Sequence, residues 1–471
     1  MSGSFTHLFP RAAGVLMPLA SLPSRHGIGD LGPEAFRFVD WLASAGVTWW
    51  QMLPVVPLGP GNSPYASSSA FATEPLYLSL EVLAEEGLLA PSDLAGPKGL
   101  REGNVRYAGA RRFKAARFTK AFETWRSSRR QRAAFARFCD REAAWLEPFC
   151  AASGSTPADL DRARFFQFQL DRQWRALRAY ARERGVLLMG DAPIFVALDS
   201  VDVTSRPELF RLDREGQPEV LSGCPPDSMN EDGQLWGHPH YDWPAHRAEG
   251  YGWWRARMRR QMDLFEAIRL DHFIGFRNAW EVPAAAESAR EGVWGETPGE
   301  ELLEAIRAEL GALPVIAEDL GTVTDAVHDL RERFELPGMR VLQWGFGAGS
   351  FHAPHAIDDG AVVYPATHDN DTCAGWWRGA DPVTRKRFRA ATGGDGKTVG
   401  MDMIRAACAT RAHTALFQLQ DVLGLGSSAR MNTPGTPSGN WARRVARRDL
   451  TVARARQLHE LLDATDRLAD R

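Results

Sequence analysis

Short apolar runs recur along the chain, and several end on a charged residue. The clearest spans Leu264 to Leu270 and passes through Arg269 into Asp271 and His272. Comparable runs occupy residues 14–17, 47–53, 186–189, 315–317, 340–342, 362–364 and 416–419. Between the first two, Phe36, Phe38, Val39 and Leu42 keep helical spacing, and Gly46 stops the helix. Strand, helix, strand in about forty residues is the rhythm of a parallel sheet. Eight strand candidates separated by helical or mixed segments predict an α/β fold, a (β/α)8 (TIM) barrel.

The rhythm breaks twice, so the single barrel expected over residues 1–471 should carry insertions. Residues 83–181 read as helices without strands. Phe113, Phe118, Phe122 and Trp125, then Phe135 and Phe138, keep helical spacing among Arg111, Arg112, Arg117, Arg126, Arg129, Arg130 and Arg132. Basic residues interleaved with aromatics are also found in RNA-binding segments. No nucleic-acid motif accompanies these, so a solvated face on a helical subdomain is the stronger reading. Residues 199–262 are expected to form a loop and helix insertion along the substrate cleft.

Composition narrows the class. Of 471 residues, 44% are hydrophobic and 24% charged, with a formal net charge of -3. That balance gives no global field for nucleic acid or a membrane surface. The five cysteines lack metal-ligand spacing, and their odd, dispersed set points to reduced thiols in the cytoplasm. The apolar run at Gly14 to Leu22 is interrupted by Pro18 and is too short to span a bilayer.

The chemistry lies where strands end. Residues i and i+2 of a strand share a face, so Arg269 and Asp271 should stand side by side. A fixed positive charge favours the ionised carboxylate, which suits a nucleophile, although a structural ion pair closing the strand explains the same pattern. Three further runs deliver Asp191, Glu318 and Asp369 to the same rim. Four carboxylates at one mouth are costly unless they have work to do. They would suit either a divalent metal or a carboxylate pair acting on a glycosidic bond. Only His272 and His368 stand beside their acids as further ligands. Tyr65, Trp236, Tyr241, Trp243, Trp280 and Trp441, among sixteen Trp in the chain, offer flat surfaces for sugar rings. Glycoside chemistry therefore leads, with no metal expected. Asp271 beside Arg269 is the candidate nucleophile, and Glu318 the acid kept protonated by burial and neighbouring anions. Asp319 should face away and support from behind. A nucleophilic pair should sit about 5 to 5.5 Å apart and retain anomeric configuration.

The motifs Ser21-Leu22-Pro23, Gly27-Ile28-Gly29-Asp30-Leu31-Gly32, Ser63-Pro64-Tyr65, Gly190-Asp191-Ala192-Pro193-Ile194, Pro225-Pro226-Asp227, Arg269 to Phe273, Ala317-Glu318-Asp319-Leu320-Gly321, Thr367-His368-Asp369-Asn370-Asp371-Thr372 and Asn432-Thr433-Pro434-Gly435 follow one another along nearly the whole chain. Together they resemble the amylomaltases (4-α-glucanotransferases, or disproportionating enzymes) of the α-amylase superfamily. The resemblance implies Asp271 as nucleophile, Glu318 as acid/base and Asp369 as transition-state stabiliser. It also implies Tyr65, Asp191, Trp236, Arg269, His368, Asn432 and Pro434 as substrate-binding residues. It implies no cofactor, and maltodextrins or other α-1,4-glucans as partners, with a second glucan rather than water accepting the glycosyl group. A monomer or weak homo-oligomer is expected.

Three positions depart from the family pattern: Ser228-Met229-Asn230 where Tyr-Phe-Ser is common, Glu74 where Asn is usual, and Ile274 where Arg is common. The first lies in the loop that closes over acceptor sugars in the family. A retaining α-glucan hydrolase is therefore the nearest rival reading, and a non-catalytic glucan-binding protein a more distant one.

Overall fold

The computed structural model describes residues 11–128, 130–226 and 230–469. All eight expected strands form, as β1 (Ala12–Leu16), β2 (Trp49–Gln51), β3 (Leu187–Ala192), β6 (Ala267–Leu270), β9 (Val315–Ala317), β10 (Gly338–Val341), β11 (Ala361–Tyr364) and β12 (Thr414–Gln418). They pair in parallel and close into a barrel in chain order, with β12 returning to β1. Closure removes every sheet edge from the barrel wall.

One buried cluster draws a residue from each of these strands: Ala12, Trp49, Met189, Ala267, Ile316, Met339, Val362 and Leu416, with Tyr364. Only the lumen of a closed barrel lets all eight strands contribute to one group. Trp49 fills much of it, and Gly14 makes room, because a Cβ there would lie 2.6 Å from Trp49 Cβ. Following the lumen face two residues onward leads from Met189 to Asp191, from Ala267 to Arg269 and Asp271, and from Ile316 to Glu318. The charged residues are the next layer above an apolar plug, at the C-terminal rim where such barrels carry their sites.

The helix after β1 runs from Pro33 to Ser44, and Gly46 leaves it with φ of 73°. Between β2 and β3 stand helices Tyr107–Ser127, Arg132–Ser153 and Pro157–Glu183. Phe113, Phe118, Phe122, Trp125 and Phe138 are buried, whereas Arg111, Arg112, Arg126, Arg130 and Arg132 are mostly exposed, as expected of a solvated basic face. Arg129 lies outside the described residues. Lys114 is the exception on this face. It is fully buried, and its Nζ donates to Asp30 and to the carbonyls of Leu76 and Leu78, tying the helix to the Gly-rich turn after β1.

Past β3 the chain holds more than loops and helices. Strands β4 (Val220–Cys224) and β5 (Gln234–Pro239) pair with β7 (Asn278–Pro283) and β8 (Val293–Glu296) in a four-stranded antiparallel sheet of order β5-β4-β7-β8. The sheet joins segments on both sides of β6, and it mounts Trp236 beside the rim. Among the described residues no helix is long and apolar enough to cross a membrane.

Candidate active site

Arg269 is the hub of the rim. Its Nη1 lies 2.9 Å from each carboxylate oxygen of Asp191, and its Nη2 lies 2.9 Å from Asp271 Oδ1 and 4.0 Å from Glu318 Oε2. β3 and β6 are in register at Asp191 and Arg269, which puts the two side chains on adjacent strands at one level. Both are buried. A guanidinium is planar, always charged and rich in donors, so it can serve several carboxylates at once.

A hydrogen-bond chain continues from Asp191. Tyr65 OH donates to Asp191 Oδ2 at 2.7 Å and lies 2.9 Å from His368 Nε2. Burial and the charge of Asp191 push the Tyr65 phenol well above its usual range, so it keeps its proton. That single proton serves Asp191, so the second contact requires His368 Nε2–H to donate to the phenol oxygen. The Tyr65 and His368 rings stack at 5.3 Å, and Trp441 leans against both. His368 Nε2 also lies 3.4 Å from Asp369 Oδ2, and Asn432 Nδ2 donates to Asp369 Oδ1 at 2.6 Å.

Glu318 is tied to the end of β6 by main-chain bonds. Its N–H donates to Leu270 and its carbonyl accepts from Phe273. Its Oε2 accepts from the His272 N–H at 2.6 Å, a contact that His272 makes from a left-handed backbone, φ 52°. Burial, and then the negative charge of Asp271, push the Glu318 carboxyl well above the ordinary carboxylate range, against the pull of Arg269. The His272 ring is buried and meets Trp236 edge to face at 4.7 Å; burial lowers its pKa to about 4 and leaves it neutral. Asp319, one residue on, turns away and accepts from Met339 N–H at 2.6 Å, with Arg331 and Arg340 nearby.

Not every expected residue joins the cluster. Tyr241 is 1% exposed and donates its hydroxyl to the Ile194 carbonyl, so it is a core residue and not a sugar platform. Trp243 packs on Tyr241 and His246, and Trp280 donates to the Ala289 carbonyl and packs against Trp294. Pro434 is exposed on the loop that begins at Asn432. Of the departures from the family pattern, Glu74 is a buried staple that accepts from Leu58 N–H and Leu76 N–H, and Ile274 is buried near Gly321. Ser228 and Met229 lie outside the described residues, as does Asp227. Sequence reasoning missed Arg430, whose guanidinium reaches the loop of Asp369 from a turn with no strand pattern to mark it.

The one cluster of metal-type ligands found among the described residues, His26, Asp30 and Glu81, lies apart from this rim. The ammonium of Lys114, 2.7 Å from Asp30, supplies its positive charge.

The sequence profile of the 4-alpha-glucanotransferase family matches residues 17–153 and 150–451. The chain belongs to the 4-alpha-glucanotransferase family. It is 40% identical to the 4-alpha-glucanotransferase of Thermus thermophilus, an alignment that covers 98% of this chain and 99% of that protein. It is also 40% identical to the chloroplastic/amyloplastic 4-alpha-glucanotransferase DPE1 of Arabidopsis thaliana, over 92% of this chain and 81% of that one. Among solved structures, amylomaltase from Streptococcus agalactiae in complex with acarbose superposes with a TM-score of 0.92 at 31% identity, covering 97% of this chain and 99% of that one. Amylomaltase from Corynebacterium glutamicum shares the fold, with a TM-score of 0.80 at 20% identity over 97% of this chain and 75% of that one. The barrel and the enzyme class expected from the motifs therefore stand, and transfer is favoured over hydrolysis.

Proposed function

We propose that this glucanotransferase moves a segment of a 1,4-α-glucan to the 4-hydroxyl of another glucan or of glucose by retaining double displacement. Asp271 attacks the anomeric carbon while Glu318 protonates the departing glycosidic oxygen; the C–O bond breaks and a glycosyl ester forms on Asp271. Glu318, now a carboxylate, takes the proton from the acceptor 4-hydroxyl as that oxygen attacks the ester carbon and frees Asp271. Asp369 faces the developing positive charge on the sugar. Tyr65, Asp191, Arg269 and His368 hold the cleaved sugar with Asn432 and Pro434, and Trp236 meets the acceptor. The observation that carries this reading is the approach of Asp271 and Glu318 to one nitrogen of Arg269, in a setting whose burial pushes the Glu318 carboxyl well above the ordinary carboxylate range.

We assign residues 1–471 to one barrel, with residues 83–181 and 199–262 as insertions, acting in the cytoplasm as a monomer or weak homo-oligomer on maltodextrins and without nucleic-acid or membrane partners. Incubation of the purified chain with maltotriose tests the reaction. Glucose together with maltodextrins longer than maltotriose is the expected outcome. Glucose and maltose in equal amounts, with no longer product, would refute transfer.

A further inference from the structure

We infer that Arg430 is a positioning residue for Asp369. It is half-buried, and no carboxylate pairs with it among the described residues. Its Nη2 donates to the main-chain carbonyl of Asp369, and its Nε donates to the carbonyl of Asn432 at 2.6 Å. The Asn432 N–H returns to the His368 carbonyl at 3.2 Å, and the Asn432 amide holds Asp369 Oδ1. One planar fork thus fixes the spacing of two main-chain segments, 368–369 and 430–432, and that spacing aims the Asn432 amide at the Asp369 carboxylate. An ammonium on a flexible stem brings the same charge but not the rigid fork. The inference rests on the reading that Asp369 acts at the reacting sugar. A misplacement of about 1 Å at such a group can cost on the order of 10²-fold in rate.

The test is a double-mutant cycle on the full chain, with kcat and KM for maltotriose measured beside the melting temperature. Arg430→Met is expected to lower kcat by about 100-fold and to change KM by less than about threefold, while Arg430→Lys recovers only part of the loss. Once Asp369 is Asn, the Arg430→Met change is expected to alter kcat by less than about twofold, because nothing is left to aim. An Arg430→Met variant within threefold of the parent overturns the inference. So does a loss that multiplies fully with Asp369→Asn, or one that follows the melting temperature and is shared equally by kcat and KM. An Asp369→Asn variant as active as the parent would instead overturn the role of Asp369 itself, and that failure is read without any change at Arg430.

Discussion

Two regions meet at Glu318 and hold their side chains by different means. On one side, Arg269, Asp191, Tyr65 and His368 form a buried, charge-assisted chain on barrel strand ends and on the loops that close over them, with successive contacts of 2.7 to 2.9 Å. On the other, Trp236 stands half-buried on the antiparallel sheet and reaches the site by ring contacts with His272 and Phe195. Its neighbour Leu235 is 41% exposed. Charged networks in low dielectric are stiff, because each partner left alone is costly. Aromatic contact is tolerant of small shifts and suits a surface that must accept glucans of different length. In the proposed mechanism the donor sugar would be gripped by ions and the acceptor by a plane.

The largest expected break in this contrast is Arg269→Met. It leaves Asp191 buried without its counter-ion and should cost about 3–5 kcal/mol of stability in urea titration, besides activity. The matching change across the divide, Trp236→Ala, should cost little stability. Next in size is Tyr65→Phe, which removes the donor to the Asp191 carboxylate. The loss of about 1.5–3 kcal/mol expected for a bond to a charged group corresponds to roughly 10- to 150-fold in kcat/KM on maltotriose. Smaller again, Trp236→Ala should raise the KM for an acceptor such as glucose up to about tenfold while leaving turnover of the donor nearly intact. If Trp236→Ala instead lowered kcat as much as Tyr65→Phe, the division of labour would be wrong.

The finest test uses pH. In the proposed mechanism Glu318 must be protonated to act as an acid, and burial together with Asp271 raises its pKa. The alkaline limb of the rate profile should therefore fall above the ordinary carboxylate range. The same shift has a stability sign. The folded chain keeps a proton that the unfolded chain releases, so this contribution is full below the ordinary value of 4.5 and is lost as pH rises through the folded value. Glu318→Gln needs no proton, so its stability relative to the parent should rise with pH over that window. A constant difference would show that Glu318 titrates normally.

Much of this site was legible from residue order alone because a strand has only two faces. Once the lumen side of β3, β6 and β9 is known, the parity of Met189, Ala267 and Ile316 dictates that Asp191, Arg269, Asp271 and Glu318 follow on the same side. What parity cannot convey is pairing across long separations. β4 and β5 are short and interrupted by Gly223, Gly237 and Pro239, and beyond their own pairing the sheet is completed by β4 meeting β7, on the far side of a barrel strand. Nor does residue type tell which aromatic is buried: Tyr65 and Tyr241 both sit among polar neighbours in the chain, yet one lines the rim and the other fills the core. Arg430 was hidden for a third reason, since its partners are main-chain carbonyls that carry no mark in a sequence.

The proposed mechanism turns on Asp271 carrying the sugar between donor and acceptor. The most direct test mixes the Glu318→Gln variant with an α-maltosyl fluoride, whose leaving group needs no acid, and follows the intact chain and its peptides by mass spectrometry. The expected result is one maltosyl group per chain, bound as an ester to the peptide containing Asp271, stable to added maltose because the variant lacks the base for a 4-hydroxyl, and discharged by azide, which needs no base, as the α-maltosyl azide. Fluoride release without any adduct, an adduct on another residue, or a product of inverted configuration would contradict it.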